Sequence, residues 1–255
     1  MKIKVVAYNI ACAQWCRVES LVTELKPLNA DILLLSEVPR LNSGISDDEW
    51  IDELAEKLGF KHFFIGTISS ANHQAPDWPA LTGRHGGKYK AILSRTPLTN
   101  CCDIELNGDG WSPASAVRAD TIIAGTTITF YALHIPGIHN WQKSTHRHLA
   151  TEIVDYKLGK NAIVGGDFNE PGNSEVMIQL IENSHLVNTV TKHPIDHVLY
   201  DNQNSEYAID HILYDDQHGV RALASGEHWG AQVGENSLSG YLSDHPYIWT
   251  DFMIT

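Results

Sequence analysis

Short apolar segments that end at polar residues recur along the whole chain. Residues 32–35 are all aliphatic and lead to Ser36 and Glu37, and residues 162–164 run through two glycines to Asp167. Runs of this length, bounded by turn residues, are typical of buried strands. Asp is uncommon within strands but common in turns, so we expect these side chains to emerge together where the strands end.

Helical segments alternate with the strands. Residues 18–25 predict a helix that Pro27 stops, and the SDDE segment at Ser46 predicts a capping box that opens a helix ending at Leu58. Two further helices are predicted at residues 145–158 and 175–181. The predicted strands are residues 3–8, 32–35, 63–65, 91–94, 116–123, 128–133, 162–164, 211–214 and 247–252. This inventory favours two sheets that carry outer helices.

Composition predicts one domain over residues 1–255. The chain has 255 residues, 43% of them hydrophobic, which is enough for one large core. No apolar run approaches the roughly 20 residues that span a bilayer, and the first residues lead into a strand rather than a secretory signal. We therefore expect a monomeric, cytoplasmic protein without membrane contact. Its four cysteines (Cys12, Cys16, Cys101 and Cys102) lack zinc-finger spacing, which favours free thiols.

The charge balance argues against an extended nucleic-acid surface. With 31 acidic and 18 basic residues the formal charge is −13, which opposes binding along duplex DNA. One dense basic segment contains Arg84, Lys88, Lys90 and Arg95, and it is either a solvated loop or a contact for one or two phosphates. Lys88, Lys90 and Arg118 are the candidate substrate contacts. Four tryptophans in predicted loops either pack beneath those loops or stack on a substrate: Trp78, Trp111, Trp141 and Trp229.

Eight polar residues stand at predicted strand ends. Each one alone is an ordinary turn residue or a hydrogen-bonded imidazole. Together they indicate a site, and they are Asn9, Glu37, His134, Asp167, Asn169, Asp210, Asp244 and His245.

These residues fall in segments that resemble the endonuclease/exonuclease/phosphatase superfamily of metal-dependent phosphoesterases. The matching segments keep the family's order over nearly the whole chain: AYNI, LLLSEV, AILSRTPL, ALHIP, HRHLATEIVDYK, GGDFNEPG, AIDHIL and LSDHPY. The resemblance implies a DNase I-like four-layer α/β sandwich, with two central, mainly antiparallel sheets flanked by helices. It also implies a divalent ion at the sheets' common edge, usually Mg²⁺, with Mn²⁺ as the alternative.

The resemblance also implies a role for each polar residue. Glu37 is the main metal ligand, Asn9 lies beside it, and Asp244 helps to hold a second ion. Carboxylate and other oxygen ligands are those that magnesium prefers.

The catalytic roles follow in the same way. Asp167 orients or deprotonates the attacking water, and Asn169 holds a phosphoryl oxygen or the water shell of the metal. Asp210 fixes the tautomer of His245, and His134 is an auxiliary donor or acid.

A near copy of the Asp210 motif begins at Ile195. Its Asp196 follows Pro194 and precedes a polar turn, whereas Asp210 runs into a strand, a charged turn and a second strand before LSDH, in the family's order. We therefore assign Asp210 to the site and Asp196 to a substrate loop.

Three functions remain open at this stage. The first is a magnesium-dependent phosphoesterase acting on a small or medium phosphorylated substrate, including nucleotides. The second is an endonuclease or exonuclease of the same fold acting on DNA or RNA. The third is a catalytically inactive binding scaffold. The segments that would separate phosphatase from nuclease, residues 67–90 and 226–243, are too long for ordinary connections and are candidates for specificity.

Overall fold

The fold is taken from a computed structural model, which describes residues 1–13, 17–39, 49–68, 89–106, 114–135, 139–156, 161–189, 209–217, 219–230 and 242–255. Within these ranges the chain forms four α-helices: α1 (Val18–Leu25), α2 (Glu49–Leu58), α3 (His139–Tyr156) and α4 (Glu175–Ser184). The strands are β1 (Lys2–Asn9), β2 (Ile32–Val38), β3 (His62–Ile65), β4 (Tyr89–Ser94), β5 (Thr99–Leu106), β6 (Ala114–Ile123), β7 (Thr126–His134), β8 (Asn161–Asp167), β9 (Val187–Asn188), β10 (Asp210–Tyr214), β11 (Val220–His228) and β12 (Tyr247–Ile254).

The strands form two mixed sheets of six. The first has the order β11-β12-β1-β2-β4-β3, and the second has the order β5-β6-β7-β8-β10-β9. Each sheet contains one parallel pair, β1 with β2 and β7 with β8, between antiparallel neighbours. This arrangement confirms the predicted fold class.

The two sheets pack face to face, and the helices lie outside them. An apolar layer between the sheets includes Val5, Ile92 and Phe130. Helices α1 and α2 cover the outer face of the first sheet, and α3 and α4 cover that of the second. The sheets approach closely at Gly165, where a Cβ atom would lie 2.8 Å from Leu34 Cδ1. A larger residue at this point of β8 would therefore require the Leu34 side chain to move.

The parallel pairs bring the strand ends to one edge. Asn9 is in register with Ser36 on β2, and His134 is in register with Asp167 on β8. Asp210 begins β10 opposite Asp167, because that pair is antiparallel. The carboxyl ends of β1, β2, β7 and β8 and the start of β10 thus meet at the same edge of the sandwich.

Three elements differ from the sequence predictions, and one of them is the two-residue strand β9, which was not predicted. The edge strand β5 was not predicted, since its sequence TNCCDIEL contains no apolar run. Helix α3 begins at His139 rather than at residue 145, so Trp141 lies in a helix and not in a loop. Cys12, Cys101 and Cys102 are free thiols. Among the helices that the structure describes, none is long and apolar enough to span a membrane.

Candidate active site

Six buried side chains meet at the common edge, and we call them the strand-end cluster: Asn9, Glu37, His134, Asp167, Asp210 and His245. Asn9 joins the two sheets, because its Nδ2 donates to Glu37 Oε1 (3.3 Å) and to Asp167 Oδ2 (3.0 Å). Its Oδ1 accepts from the backbone N–H of Ala11 (3.0 Å). In this orientation Asn9 orients two candidate metal ligands by hydrogen bonding, and its predicted role as a ligand itself stays a prediction.

A β-bulge directs Glu37 into the cluster. The register between β2 and β4 shifts between Ser36 and Val38, and Glu37 between them has a positive φ of 52°. Bulges commonly redirect one side chain at a sheet edge. The sequence did not reveal this turn, nor the thiol of Cys12, which donates to Glu37 Oε2 (3.6 Å).

The turn after β8 fixes Asp167 and Asn169 together. The backbone N–H of Asn169 donates to Asp167 Oδ1 (2.8 Å), and Asn169 Nδ2 donates to the carbonyl of Ile135 (2.7 Å). Gly166 precedes them with φ of 141°, and a Cβ there would lie 2.2 Å from the carbonyl oxygen of Leu133. The two glycines of GGDFN therefore serve close packing and backbone conformation, and the polar residues after them line the site.

His245 and Asp210 form a buried pair. His245 Nδ1 donates to Asp210 Oδ2 (2.6 Å), and His245 Nε2 faces inward, 3.7 Å from Asp167 Oδ2. Burial lowers the pKa of His245, but the charges of Asp210 and Asp167 outweigh it, so the pKa is raised well above its ordinary value. The raised pKa favours the protonated ring, in which Nε2 carries a proton and faces Asn9 and Asp167.

Ser243 is a second residue that sequence reasoning missed. Its Oγ donates to the carbonyl of Asn9 (2.6 Å) and accepts from the backbone N–H of His245 (3.2 Å). It thereby holds the segment before β12 against the end of β1. Its position in the LSDH segment, directly before Asp244, was the available signal.

Asp167 lies at the centre of the negative charge. Burial, with the charges of Asp210 and Glu37, raises its pKa to about 7 against the opposing effect of His245. His134 Nε2 lies 3.6 Å from Asp167 Oδ2 and 3.4 Å from Glu37 Oε1. Three carboxyl groups thus share a buried space with two imidazoles.

The donor atoms fit a divalent cation. There are two groups of three residues, and within each group the ligand atoms lie within 4.8 Å of one another. One group is Glu37, His134 and Asp167, and the other is Asp167, Asp210 and His245. Asp210 Oδ1 is buried and has no hydrogen-bond partner among the described residues. A buried carboxylate oxygen without a donor is costly, and a bound cation would satisfy it. Carboxylate oxygens suit Mg²⁺ and Mn²⁺, and imidazole nitrogens suit transition metals.

The other predicted site residues are placed differently. Asp244 lies next to the cluster in sequence but joins neither group of donor atoms. Lys90 lies at the same edge, in register with Ser36, but it is buried, and its Nζ donates to Ser115 Oγ and to the carbonyl of Ile68 (3.4 Å). Lys88 and Asp196 lie outside the described residues.

Arg118 lies apart from the cluster. It is on β6 three residues from Ser115, the residue in register with His134, and thus about 10 Å along the strand. Its guanidinium pairs with Glu152 and lies 3.3 Å from the ring of Tyr156, both on α3. Since α3 covers the outer face of the second sheet, this position does not match the predicted contact with substrate.

Comparisons with known proteins agree with this architecture. The sequence matches the Endonuclease/Exonuclease/phosphatase family over residues 6–245. The fold and the site therefore define a class of phosphoester hydrolases. The chain belongs to the endonuclease/exonuclease/phosphatase family.

Solved structures share the fold at low sequence identity. An endonuclease/exonuclease/phosphatase from Beutenbergia cavernae DSM 12333 superposes with a TM-score of 0.77 at 16% identity, covering 99% of this chain and 72% of that one. The human Nocturnin catalytic domain with bound sulfate anion gives 0.71 at 19% identity, covering 100% and 95%. The mannosyl-6-phosphatase Bt3783 from Bacteroides thetaiotaomicron VPI-5482 gives 0.70 at 15% identity, covering 99% and 100%. No curated protein sequence gives a significant match.

Proposed function

We propose that this protein is a Mg²⁺-dependent phosphoesterase that hydrolyses a small or medium phosphorylated substrate by in-line attack of water. The observation that carries the proposal is the meeting of Glu37, Asp167 and Asp210 with two imidazoles at one buried edge. A bound Mg²⁺ would neutralise the negative charge that develops on the phosphoryl oxygens and on the leaving oxygen. Mn²⁺ is the expected substitute.

The chain's own residues divide the remaining work. Glu37 is the proposed main ligand, and Asn9 holds its carboxylate together with that of Asp167. Asp167 takes the proton of the attacking water, and a pKa of about 7 allows it to do so near neutral pH. The protonated His245 donates through Nε2 to a phosphoryl oxygen, with Asp210 fixing its orientation. Asn169 holds a phosphoryl oxygen, and His134 is an auxiliary donor.

Hydrolysis of reporter esters at defined metal concentrations tests the metal and its ligand. Wild-type protein is expected to hydrolyse p-nitrophenyl phosphate or bis(p-nitrophenyl) phosphate with Mg²⁺ and to lose activity in EDTA. Glu37→Gln removes one ligand charge, so it should raise the Mg²⁺ concentration for half-maximal activity at least about tenfold or abolish turnover.

The matched control for this substitution is Asp120→Asn. Asp120 is also a buried carboxylate, but its partners are Thr129, Asn100 and Tyr156, away from the strand-end cluster. An unchanged Mg²⁺ requirement in Glu37→Gln would contradict the ligand assignment. Absence of metal-dependent turnover in the wild type, on both reporters and on nucleic acid, would favour the inactive scaffold.

The substrate class has a separate test. The formal charge of −13 opposes a surface that neutralises many phosphates of a duplex. Small phosphate esters or nucleotides are therefore expected to be turned over better than plasmid DNA or abasic-site duplex under the same Mg²⁺ conditions. Efficient duplex cleavage that falls steeply with salt would instead establish the nuclease.

A further inference from the structure

His211 is a buried histidine that lies beside the site and has no role in the proposed reaction. It follows Asp210 on β10 and is only 1% exposed. Its Nε2 lies 2.9 Å from the carbonyl oxygen of Glu170, and its Nδ1 lies 3.1 Å from Asn188 Nδ2. Both ring nitrogens are therefore bound by the protein.

The partners fix the tautomer of the ring. A carbonyl oxygen only accepts, so the proton is on Nε2, and the amide nitrogen of Asn188 then donates to Nδ1. His211 is thus bound to the protein through both ring nitrogens, one to a backbone carbonyl and one to a side-chain amide. It differs in this from His245, whose Nε2 faces Asn9 and Asp167 inside the strand-end cluster.

The ring of His211 supports the turn that carries Asp167 and Asn169. It holds the carbonyl of Glu170, the residue directly after Asn169, and it packs edge-on against Phe168 with ring centroids 5.5 Å apart. Asn169 itself has a positive φ of 51°, which a non-glycine residue adopts only at a cost.

The chain also lies close to the His211 ring at Gly172, at the end of this turn. A Cβ atom at Gly172 would lie 3.1 Å from His211 Cε1 and 3.3 Å from Asn188 Nδ2. The segment from Phe168 to Gly172 therefore follows the surface of this imidazole.

We propose that His211 is a positioning residue, whose ring holds the Phe168–Glu170 turn and thereby positions the Asp167 carboxylate for the attacking water and the Asn169 amide for the reacting phosphate. This inference rests on the proposed function for its effect on turnover. Its structural part, that the ring maintains the conformation of Asn169, does not depend on any activity.

Three variants test the effect on turnover of p-nitrophenyl phosphate with Mg²⁺. His211→Leu fills the position with an apolar side chain but removes the hydrogen-bond donor to Glu170. We expect kcat to fall about tenfold or more, because a displaced catalytic group slows the chemical step. KM should change by less than about twofold. His211→Gln can place an amide N–H near the position of Nε2 and should recover most of kcat. His146→Leu is the matched control, since His146 on α3 is equally buried and also contacts Phe168, with ring centroids 6.2 Å apart.

Amide hydrogen exchange of Asn169 gives the reading that needs no turnover. Its N–H donates to Asp167 Oδ1, so protection should fall about tenfold or more in His211→Leu and be kept in His211→Gln and in His146→Leu. Equal protection in all three variants would overturn the inference, even if the wild type hydrolysed no phosphate ester. Equal losses of kcat in His211→Leu and His146→Leu would also overturn it, since Phe168 packing alone would then explain the effect.

Discussion

Two polar clusters differ in how their charges are balanced, a partly buried one on the second sheet and the buried strand-end cluster at the edge that both sheets share. On the outer face of the second sheet, Arg118 pairs with Glu152, and the Arg118 guanidinium stacks on Tyr156. We call these three residues the helix-side cluster. At the sheet edge, the strand-end cluster contains three carboxyl groups and two imidazoles, and Asp210 Oδ1 has no partner among the described residues. In the first cluster the positive and negative charges are paired within the protein, although Arg118 Nε has no hydrogen-bond partner among the described residues.

This difference distinguishes polar residues that stabilise the fold from polar residues that form a functional site. Burial of a charge is costly unless another group compensates it. In the helix-side cluster the protein supplies the compensation, so the pair links β6 to α3. In the strand-end cluster the compensation is incomplete, and burial raises the pKa of Asp167 to about 7. Perturbed carboxylates of this kind are typical of sites that bind a cation or transfer a proton.

The largest expected effect is on catalysis in the strand-end cluster. His245→Ala removes the proposed charged donor, and Asp210→Asn removes the carboxylate that orients it. Each should lower kcat roughly 10²–10⁴-fold on a phosphate ester, with the melting temperature nearly unchanged. The same conservative change in the helix-side cluster, Glu152→Gln, should leave kcat within about twofold. Similar activity losses in the two clusters would remove the distinction between them.

A smaller effect is expected on stability, where a substitution in the strand-end cluster should stabilise the protein. Asp167 has a pKa near 7 in the folded protein and 3.8 in model compounds, so folding favours its protonated form. That contribution is fully present below about pH 4 and is lost as pH rises through 7. Asp167→Asn removes the buried charge, so in EDTA at pH 8 the variant should be more stable than the wild type by roughly 1–3 kcal/mol.

Chemical denaturation at two pH values measures this difference. At pH 5 the carboxyl of the folded wild type is mostly protonated and only that of the unfolded chain is ionised, so the advantage of Asp167→Asn should fall by about half or more. His245 is present in both proteins, so the pH dependence that its raised pKa adds to stability is largely common to the two and cancels in the difference. A variant that is less stable than the wild type at pH 8 without metal would show that the carboxylate is compensated after all.

The sequence predicted the strand-end cluster better than it predicted the surrounding contacts. Asn9, Glu37, His134, Asp167 and Asp210 were identified because each ends or begins an apolar strand, and strand direction alone then brings them to one edge. The bounds of α1 were predicted at Val18–Leu25 because its apolar spacing and Pro27 define both ends. Local pattern was sufficient in these cases.

The failures concern properties that local pattern does not contain. Strand β5 is half exposed at an edge, so neighbouring strands rather than its own composition determine it. Which face of a strand a residue occupies depends on register, and this placed Arg118 beneath α3 and Lys90 between the sheets. The support of Asn169 by His211 required the backbone of a turn, which no motif spacing specifies.

The smallest expected effect concerns Arg118, for which sequence and structure lead to different results. As a substrate contact, Arg118 would raise KM when replaced. As a member of the helix-side cluster, it contributes one partly buried ion pair with Glu152 and a stacking contact with Tyr156, together worth about 1–2 kcal/mol. Arg118→Met keeps much of the apolar stem, so it should lower the melting temperature by a few degrees and leave KM and kcat unchanged. Because Arg118 and Glu152 contact each other, Arg118→Met combined with Glu152→Gln should destabilise by less than the sum of the single changes. A rise in KM of about fivefold or more without loss of stability would instead place Arg118 in contact with substrate.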